Sequence, residues 1–510
     1  MSERCAINVD LVDIWQTKER KGHIRTIAWG DHIDVLEKTD DYVKVKTENY
    51  VKKKDGSILP KTVTGYLVPT KSSKLKPKDL VIPKAKSKVL KINFVDIQQG
   101  DAAVIETPDE QVILVDGGDN QLFARYLAAR YKGTSESNPK KIDCIVVTHG
   151  DADHFKGLTE IYNSEKNKTA RKRLFISPER VYHNGLVKRP SKTNKKRVPD
   201  RKLLGETFEQ GKNLIITDLE TDLTEVDSRK MNSPFKSWKV ALNHWKKRGK
   251  ITFRRLKYGD KKAFDFIQNK NIEISVLGPI TTRVNGKEGL KFLHGHSPGP
   301  RLGHDSISLN QPHTGSLSAS HTINGHSIVF KLSYGKFNYL FTGDLNDEAG
   351  KILAKKHKSK RSKVDLKAEV MKVPHHGSAD FSGAFFKLVE PVVSVISSGD
   401  ESSRKEYIHP RATLVGALGK HSRVEEPLIF VTELVAFFNM EGWSRLIDAK
   451  ESKTRGDFFA FSRTAYGIVK TRTDGNRLLV YTDSGKSNLK EAYCYEFVRG
   501  KITPQKVIKG

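Results

Sequence analysis

The sequence predicts an α/β protein with a layered α/β domain in its middle, a small all-β barrel in front and a β-rich extension behind. Three observations carry this expectation. Short β-type runs with polar turns fill residues 24–69, apolar strands and helical patterns alternate from 89 onward, and alternating runs return after Trp443. The implied boundaries are a barrel at 1–72, a linker at 73–88, an α/β domain at 89–430 with a basic insertion around 160–325, and an extension at 431–510. A 510-residue chain is long enough for about two to four domains at ~150 residues each.

In the front segment, Ile33 to Leu36, Tyr42 to Lys46 and Tyr66 to Val68 read as strands, with turns at Asp40-Asp41 and Asp55-Gly56. Lys71 to Lys88, lysine-rich with Pro77 and Pro83, reads as the linker. Three strand candidates follow, Val89 to Asp96, Ala102 to Thr107 and Gln111 to Asp116, then an amphipathic helix from Gln121 to Tyr131. The continuous apolar run Ile142 to Val147 has the character of a strand buried on both faces, and it delivers His149 to its carboxyl end. Further strands are expected at Ile215 to Leu219, Ile272 to Leu277, Ser327 to Leu332, Lys336 to Thr342 and Val392 to Ser397. Lys351 to Lys363 is a basic helix-like run, and His294 to His326, rich in Gly, Ser, Pro and His, reads as a loop near the site. In the tail, Tyr466 to Arg472 and Arg477 to Thr482 flank the turn Asp474-Gly475.

Hydrophobic residues at 37% and charged residues at 29% exclude a disordered chain. The formal net charge of +30, from 90 Lys plus Arg against 60 Asp plus Glu, favours polyanionic partners, nucleic acid or an anionic membrane among them. Cys5, Cys144 and Cys494 lie far apart without C-x-x-C spacing, which argues against a disulfide framework and for a reducing, cytoplasmic setting. Acidic residues interrupt the first sixteen positions and no run of 18 apolar residues occurs, so neither an export signal nor a membrane span is expected.

The chemistry concentrates where apolar strands end. Thr148-His149-Gly150-Asp151-Ala152-Asp153-His154 puts four potential ligands within six residues, on a turn leaving a buried strand. Mixed imidazole and carboxylate donors suit two divalent ions, Zn²⁺ or Mn²⁺ before Fe, and two ions ~3.5 to 4 Å apart would activate a hydroxide between them. No G-x-S-x-G or phosphate loop in a strand-to-helix setting offers a competing scheme.

Phe94 to Asp116 with Gly100-Asp101 and Asp116-Gly117-Gly118, then T-H-G-D-A-D-H, then F-T-G-D at 341–344 and V-P-H-H-G-S at 373–378, together resemble the metallo-β-lactamase superfamily, in particular the hydrolase domains of ComEC-type competence proteins. The resemblance spans residues 89–425 and implies an αββα sandwich. It implies one metal on His149 and Asp151, the other on Asp153 and His154, and Asp344 as the bridge. One of His375 and His376 completes the set, and the other is left as proton donor or phosphate contact; with His375 on the metal, His376 joins Asp153 and His409 as a catalytic residue. His409 is implied to contact substrate or protonate the leaving group, an ordinary loop histidine being the alternative. Asp116 is expected to orient the ligand loop by hydrogen bonds. The chain departs from the parent superfamily in having Asp151 for the usual second histidine, no counterpart of the third-motif histidine, and Gly157-Leu158 where Gly-Gly is common.

The order Gly30-Asp31-x-Ile33-x-Val35-Leu36, Asp41 to Val45, Asp55-Gly56 and Gly65-Tyr66-Leu67 resembles bacterial SH3-like domains, which implies binding or tethering to a protein partner. The substrate expected from charge and resemblance is a phosphodiester, DNA first, held by Lys188-Arg189, Lys195-Lys196-Arg197, Arg254-Arg255 and Lys351 to Lys363. A small-molecule or cell-surface phosphoesterase and a nucleic-acid-binding protein with a vestigial site are the alternatives.

Overall fold

The computed structural model describes residues 2–52, 58–70, 73–98, 100–193, 195–295, 316–358, 364–399, 409–434, 437–444, 458–465, 467–483 and 491–510. The turn expected at Asp55-Gly56, most of the loop from His294 to His326, and the end of the run from Lys351 to Lys363 lie outside them. Two compact units emerge, one of residues 1–91 with 434–510 and one of residues 92–433. No helix among the described residues is long and apolar enough to cross a membrane.

The first unit is built on an antiparallel sheet ordered His23–Ala28, Leu11–Trp15, Ile58–Leu67, Val43–Lys52, His32–Lys38, Glu3–Ile7 and Val81–Pro83. The stretch expected as a linker is thus partly structural. Val81–Pro83 pairs with Glu3–Ile7, and Leu80 and Val81 are buried, because a short apolar run sits among the lysines. The extension is not free-standing either. Its antiparallel strands Ile468–Thr473, Arg477–Asp483, Ala492–Val498 and Lys501–Gln505 form a meander. Leu479, Tyr481 and Cys494 from this meander share a core with Leu11, Trp29 and Val89. Arg477 ties the two ends by pairing with Asp10 at 2.6 Å and Glu496 at 2.7 Å.

The second unit holds two sheets of one plan. In the first, Ala102–Glu106 and Val112–Asp116 pair antiparallel, after which Cys144–Val146, Arg180–His183 and Thr252–Arg255 add in parallel. In the second, Ile272–Gly278, Val329–Tyr334 and Phe337–Phe341 run antiparallel, and Val370–Lys372, Val393–Ile396 and Leu428–Val431 add in parallel. Helices Leu122–Arg130, Ala152–Ser164 and Ser233–Lys246 bury their apolar faces with the first sheet, and Asp347–Lys358, Gly383–Val389 and Ala412–His421 with the second. Phe341, stacked on Phe330 at 4.6 Å and on Phe94 at 5.9 Å, joins the inner faces.

The run Ile142 to Val147 divides at Asp143: Lys140–Ile142 pairs with Ile176–Pro178, and only Cys144–Val146 enters the main sheet. The Asp143 carboxylate accepts from Val112 N at 2.8 Å, which breaks the ladder at that residue. The insertion is ordered around a sheet of Thr207–Gln210, Asn213–Ile216, Lys287–Lys291 and Thr282–Val284 with its own apolar cluster. Part of the stretch read as a loop, Ala319–Gly325, is a helix capped by Ser318.

Candidate metal centre

Strand Val112–Asp116 ends on Asp116, whose φ of +56° turns the chain sharply into Gly117-Gly118. Helix Ala152–Ser164 is clamped against that turn. Gly117 N donates to His154 O at 2.6 Å and Gly157 N to Gly118 O at 2.7 Å. A Cβ at Gly157 would lie 1.9 Å from Gly117 O, and one at Gly100 would lie 1.8 Å from Asp153 O, so both contacts demand glycine. This fixes the helix that carries Asp153 and His154. Asp151 sits at its N-cap, but its side chain makes no capping bond.

Four ligand atoms, one each from Asp101, His154, Asp344 and His376, lie within 4.8 Å of one another, and all four residues are buried. His154 Nε2 is 3.2 Å from Asp344 Oδ1, and His376 Nε2 is 3.2 Å from Asp344 Oδ2 and 3.5 Å from Asp153 Oδ2. His149 Nε2 lies 3.9 Å from Asp344 Oδ2. The far ring nitrogens are held by the protein. His154 Nδ1 meets Asp116 Oδ2 at 2.9 Å, while Asp116 also accepts from Thr148 N and Oγ1, both at 2.7 Å. His376 Nδ1 meets Ser397 O at 3.0 Å and Asp101 Oδ1 at 3.2 Å. His149 Nδ1 lies 3.1 Å from Thr148 Oγ1 and 3.3 Å from Ser327 Oγ. In that arrangement the ring protons sit on Nδ1 of His154 and His376, and Nε2 is left to face Asp344.

The donors fit a cation. Nε2 of His149, His154 and His376 and Oδ1 of Asp344 are buried without a hydrogen bond among the described residues, though they face one another. Buried polar atoms left so are costly unless an ion or water takes them. Burial pushes His154 and His376 toward neutrality, but neighbouring carboxylates, Asp344 foremost, hold both well above the usual imidazole range. Burial likewise opposes ionisation of Asp344, yet His376 and His154 keep its carboxyl well below the usual range. A divalent ion would take over the charge that those shared protons supply.

The other expected residues sit elsewhere. His375 stays out of the cluster: its Nε2 is 3.9 Å from Asp344 Oδ2 and is engaged by the Asn324 side chain at 3.2 Å. Consecutive left-handed residues, His375 at φ +51° and His376 at φ +52°, turn the two rings apart, so His376 and not His375 faces Asp344. Asp151 pairs with Lys188 at 2.8 Å, and burial raises its pKa. His409 lies beside His375, ring centroids 6.2 Å apart, and burial among histidines lowers its pKa to about 4.

Asp101 and Lys372 carry no role in the sequence reading. They form a buried ion pair, and Lys372 Nζ also reaches Gly343 O at 3.3 Å. A lysine inside the all-buried strand Val370–Lys372 was the available signal, since a buried ammonium needs a partner. Several basic residues expected at a substrate surface are neutralised instead: Arg189 pairs with Asp218, Arg254 with Asp260, and Arg255 with Glu288. Lys196 and Arg197 are exposed on a hairpin with Lys192 and Thr193.

Residues 95–211 match the family model described as the metallo-beta-lactamase superfamily, a stretch that includes His149 to His154 and ends before Asp344. ComE operon protein 3 of Bacillus subtilis (strain 168) is 30% identical over 100 residues, 19% of this chain and 12% of that protein. Among solved structures, CmlA, titled a diiron beta-hydroxylase from Streptomyces venezuelae, gives a TM-score of 0.29 at 11% identity over 68% of this chain and 53% of that one. A mutant of the CmlA beta-hydroxylase gives 0.30 at 11% over 67% and 52%. The chain thus spans about half the length of those structures and a small part of the curated relative. The His149–His154 motif lies inside the matched residues, and a metallo-beta-lactamase superfamily match over 95–211 supports a metal-dependent hydrolase.

Proposed function

We propose that this protein is a metal-dependent phosphodiesterase acting on a polyanion, DNA first. The observation that carries it is the convergence of His154, Asp344 and His376 on one buried point at the ends of both sheets, with the partly exposed Asp153 at 3.5 Å from His376 Nε2. These four residues would hold the metal. When bound, such an ion supplies Lewis-acid activation of water and neutralises charge developing at a phosphate. The protein's own part is positional: Asp116 orients His154, Asp101 and Ser397 O orient His376, and Thr148 and Ser327 orient His149. His409, beside His375, we read as the contact to substrate or the leaving group.

The formal net charge of +30 supports a polyanionic substrate, and the match to a ComE operon protein favours DNA among polyanions. The antiparallel sheet of the first unit we read as an SH3-like tethering module, and the three buried, unpaired cysteines suit a reducing cytoplasm. The test is turnover of linear DNA, circular DNA, RNA and a bis-aryl phosphodiester with Mn²⁺ or Zn²⁺, repeated with Asp153→Ala and Asp344→Ala. Metal-dependent DNA cleavage lost in both variants, with DNA binding kept, is the expected result. Hydrolysis of the small ester alone would move the substrate to small phosphoesters, and binding without turnover would remove the enzyme reading.

A further inference from the structure

The donors around Asp344 fall into two groups that the motifs H-x-D-x-D-H and H-H present as equivalent. His154 and His376 direct Nε2 toward Asp344, and Asp153 Oδ2 lies 3.5 Å from His376 Nε2. Asp151 and His375 are committed elsewhere. Asp151 Oδ1 takes Lys188 Nζ at 2.8 Å. With its amide oriented to satisfy both neighbours, Asn324 donates to Asp151 Oδ2 at 3.0 Å and accepts from His375 Nε2 at 3.2 Å. Both Asp151 oxygens are therefore occupied, and so is His375 Nε2. Of the residues expected on a first metal, only His149 keeps a bare Nε2.

Lys188 is held there by the fold. Its carbonyl accepts from Asn232 N at 2.9 Å, and the Asn232 side chain caps helix Ser233–Lys246. Leu186, Leu203 and Leu204 are buried on either side of its segment, and Lys188 and Asp151 are only 25% and 22% exposed. The substitution in the motif explains the partner. An imidazole at position 151 would offer a neutral donor to a metal, whereas a half-buried carboxylate there demands a positive charge, and Lys188 supplies one. A divalent ion beside that ammonium would meet like-charge repulsion with one histidine and the shared Asp344 to hold it, short of the four ligands such an ion takes.

Resting on the reading of this site as a metal centre, we propose that the chain holds one metal ion and that the Lys188 ammonium, fixed by Asp151, stands in for the second cation. The test is metal content by native mass spectrometry of the full chain, stripped with chelator, reloaded with Zn²⁺ and passed through a desalting column. The wild type should retain one ion per chain. Lys188→Met should free Asp151 and retain a second, its affinity for that ion rising at least about tenfold. Lys188→Arg should stay at one. Two tightly held ions in the wild type, or a Lys188→Met chain that folds and still retains one, would overturn the inference. No retained ion in the wild type would instead overturn the metal-centre reading beneath it. Folding of each variant is read by circular-dichroism melting, and Lys188→Gln carries the test if Lys188→Met does not fold.

Discussion

The two halves of the sandwich share a plan, an antiparallel hairpin extended by parallel strands, yet they supply the centre unequally. The first half concentrates His149, Asp151, Asp153 and His154 on one turn after Cys144–Val146. The second sends Asp344 and His376 from two strand ends. The first half also supplies carboxylates behind two of the metal-facing histidines, Asp116 behind its own His154 and Asp101 behind His376 of the other half. Local density therefore marks where a centre lies, while the residue that His149, His154 and His376 face, Asp344, comes from the half with the sparser motif.

The largest effect should follow from cutting that shared point. Asp344→Ala leaves His154 and His376 without their common partner, and retained metal and phosphodiester turnover should both be lost, turnover by more than about 100-fold, beyond the usual cost of an outer residue. Metal content and single-turnover assays check it. Next comes the carboxylate that crosses between halves. Asp101→Asn strands the buried Lys372 ammonium and should destabilise the chain by about 3–5 kcal/mol in denaturant melts, with much of that recovered by adding Lys372→Met. An unchanged melt for Asp101→Asn would mean the pair is not buried in solution. Asp116→Asn loosens the His154 ring and the Thr148 contacts beside it; metal affinity should fall about 10- to 100-fold.

The smallest effect tests the first half away from the site. His183 uses Nε2 toward Thr221 O at 2.9 Å and accepts from Gly185 N at Nδ1, 3.1 Å, so it must stay neutral. Burial lowers its pKa to about 4. Its contribution is complete above the unfolded-state value of ~6.5 and is lost as pH falls from there toward about 4, on the order of 2 kcal/mol by pH 5. Urea melts at pH 7 and pH 5 should show that drop in the wild type and a smaller one in His183→Gln.

The order of strands and the strand-end ligands were legible because each sits after an apolar run with its own period. His149 to His154, Asp344 and the His375-His376 pair are all of this kind. What was hidden depends on chain segments far apart in sequence. Asp101 gains its role only once Gly100 packs on Asp153 O, and Lys188 only once its loop is pinned by Asn232. The choice between His375 and His376 rests on two left-handed residues in succession, which no periodicity reports. The stretch 73–88 reads as a linker because its lysines outnumber the few apolar residues that dock, Leu80 and Val81.

The central claim is that His154, His376 and Asp344 share one metal ion. An anomalous difference map from crystals grown with Zn²⁺ tests it most directly. A peak is expected about 2.0–2.2 Å from Nε2 of His154, Nε2 of His376 and a carboxylate oxygen of Asp344. A fully occupied peak on Asp151 and His375, or none within reach of Asp344, would contradict it.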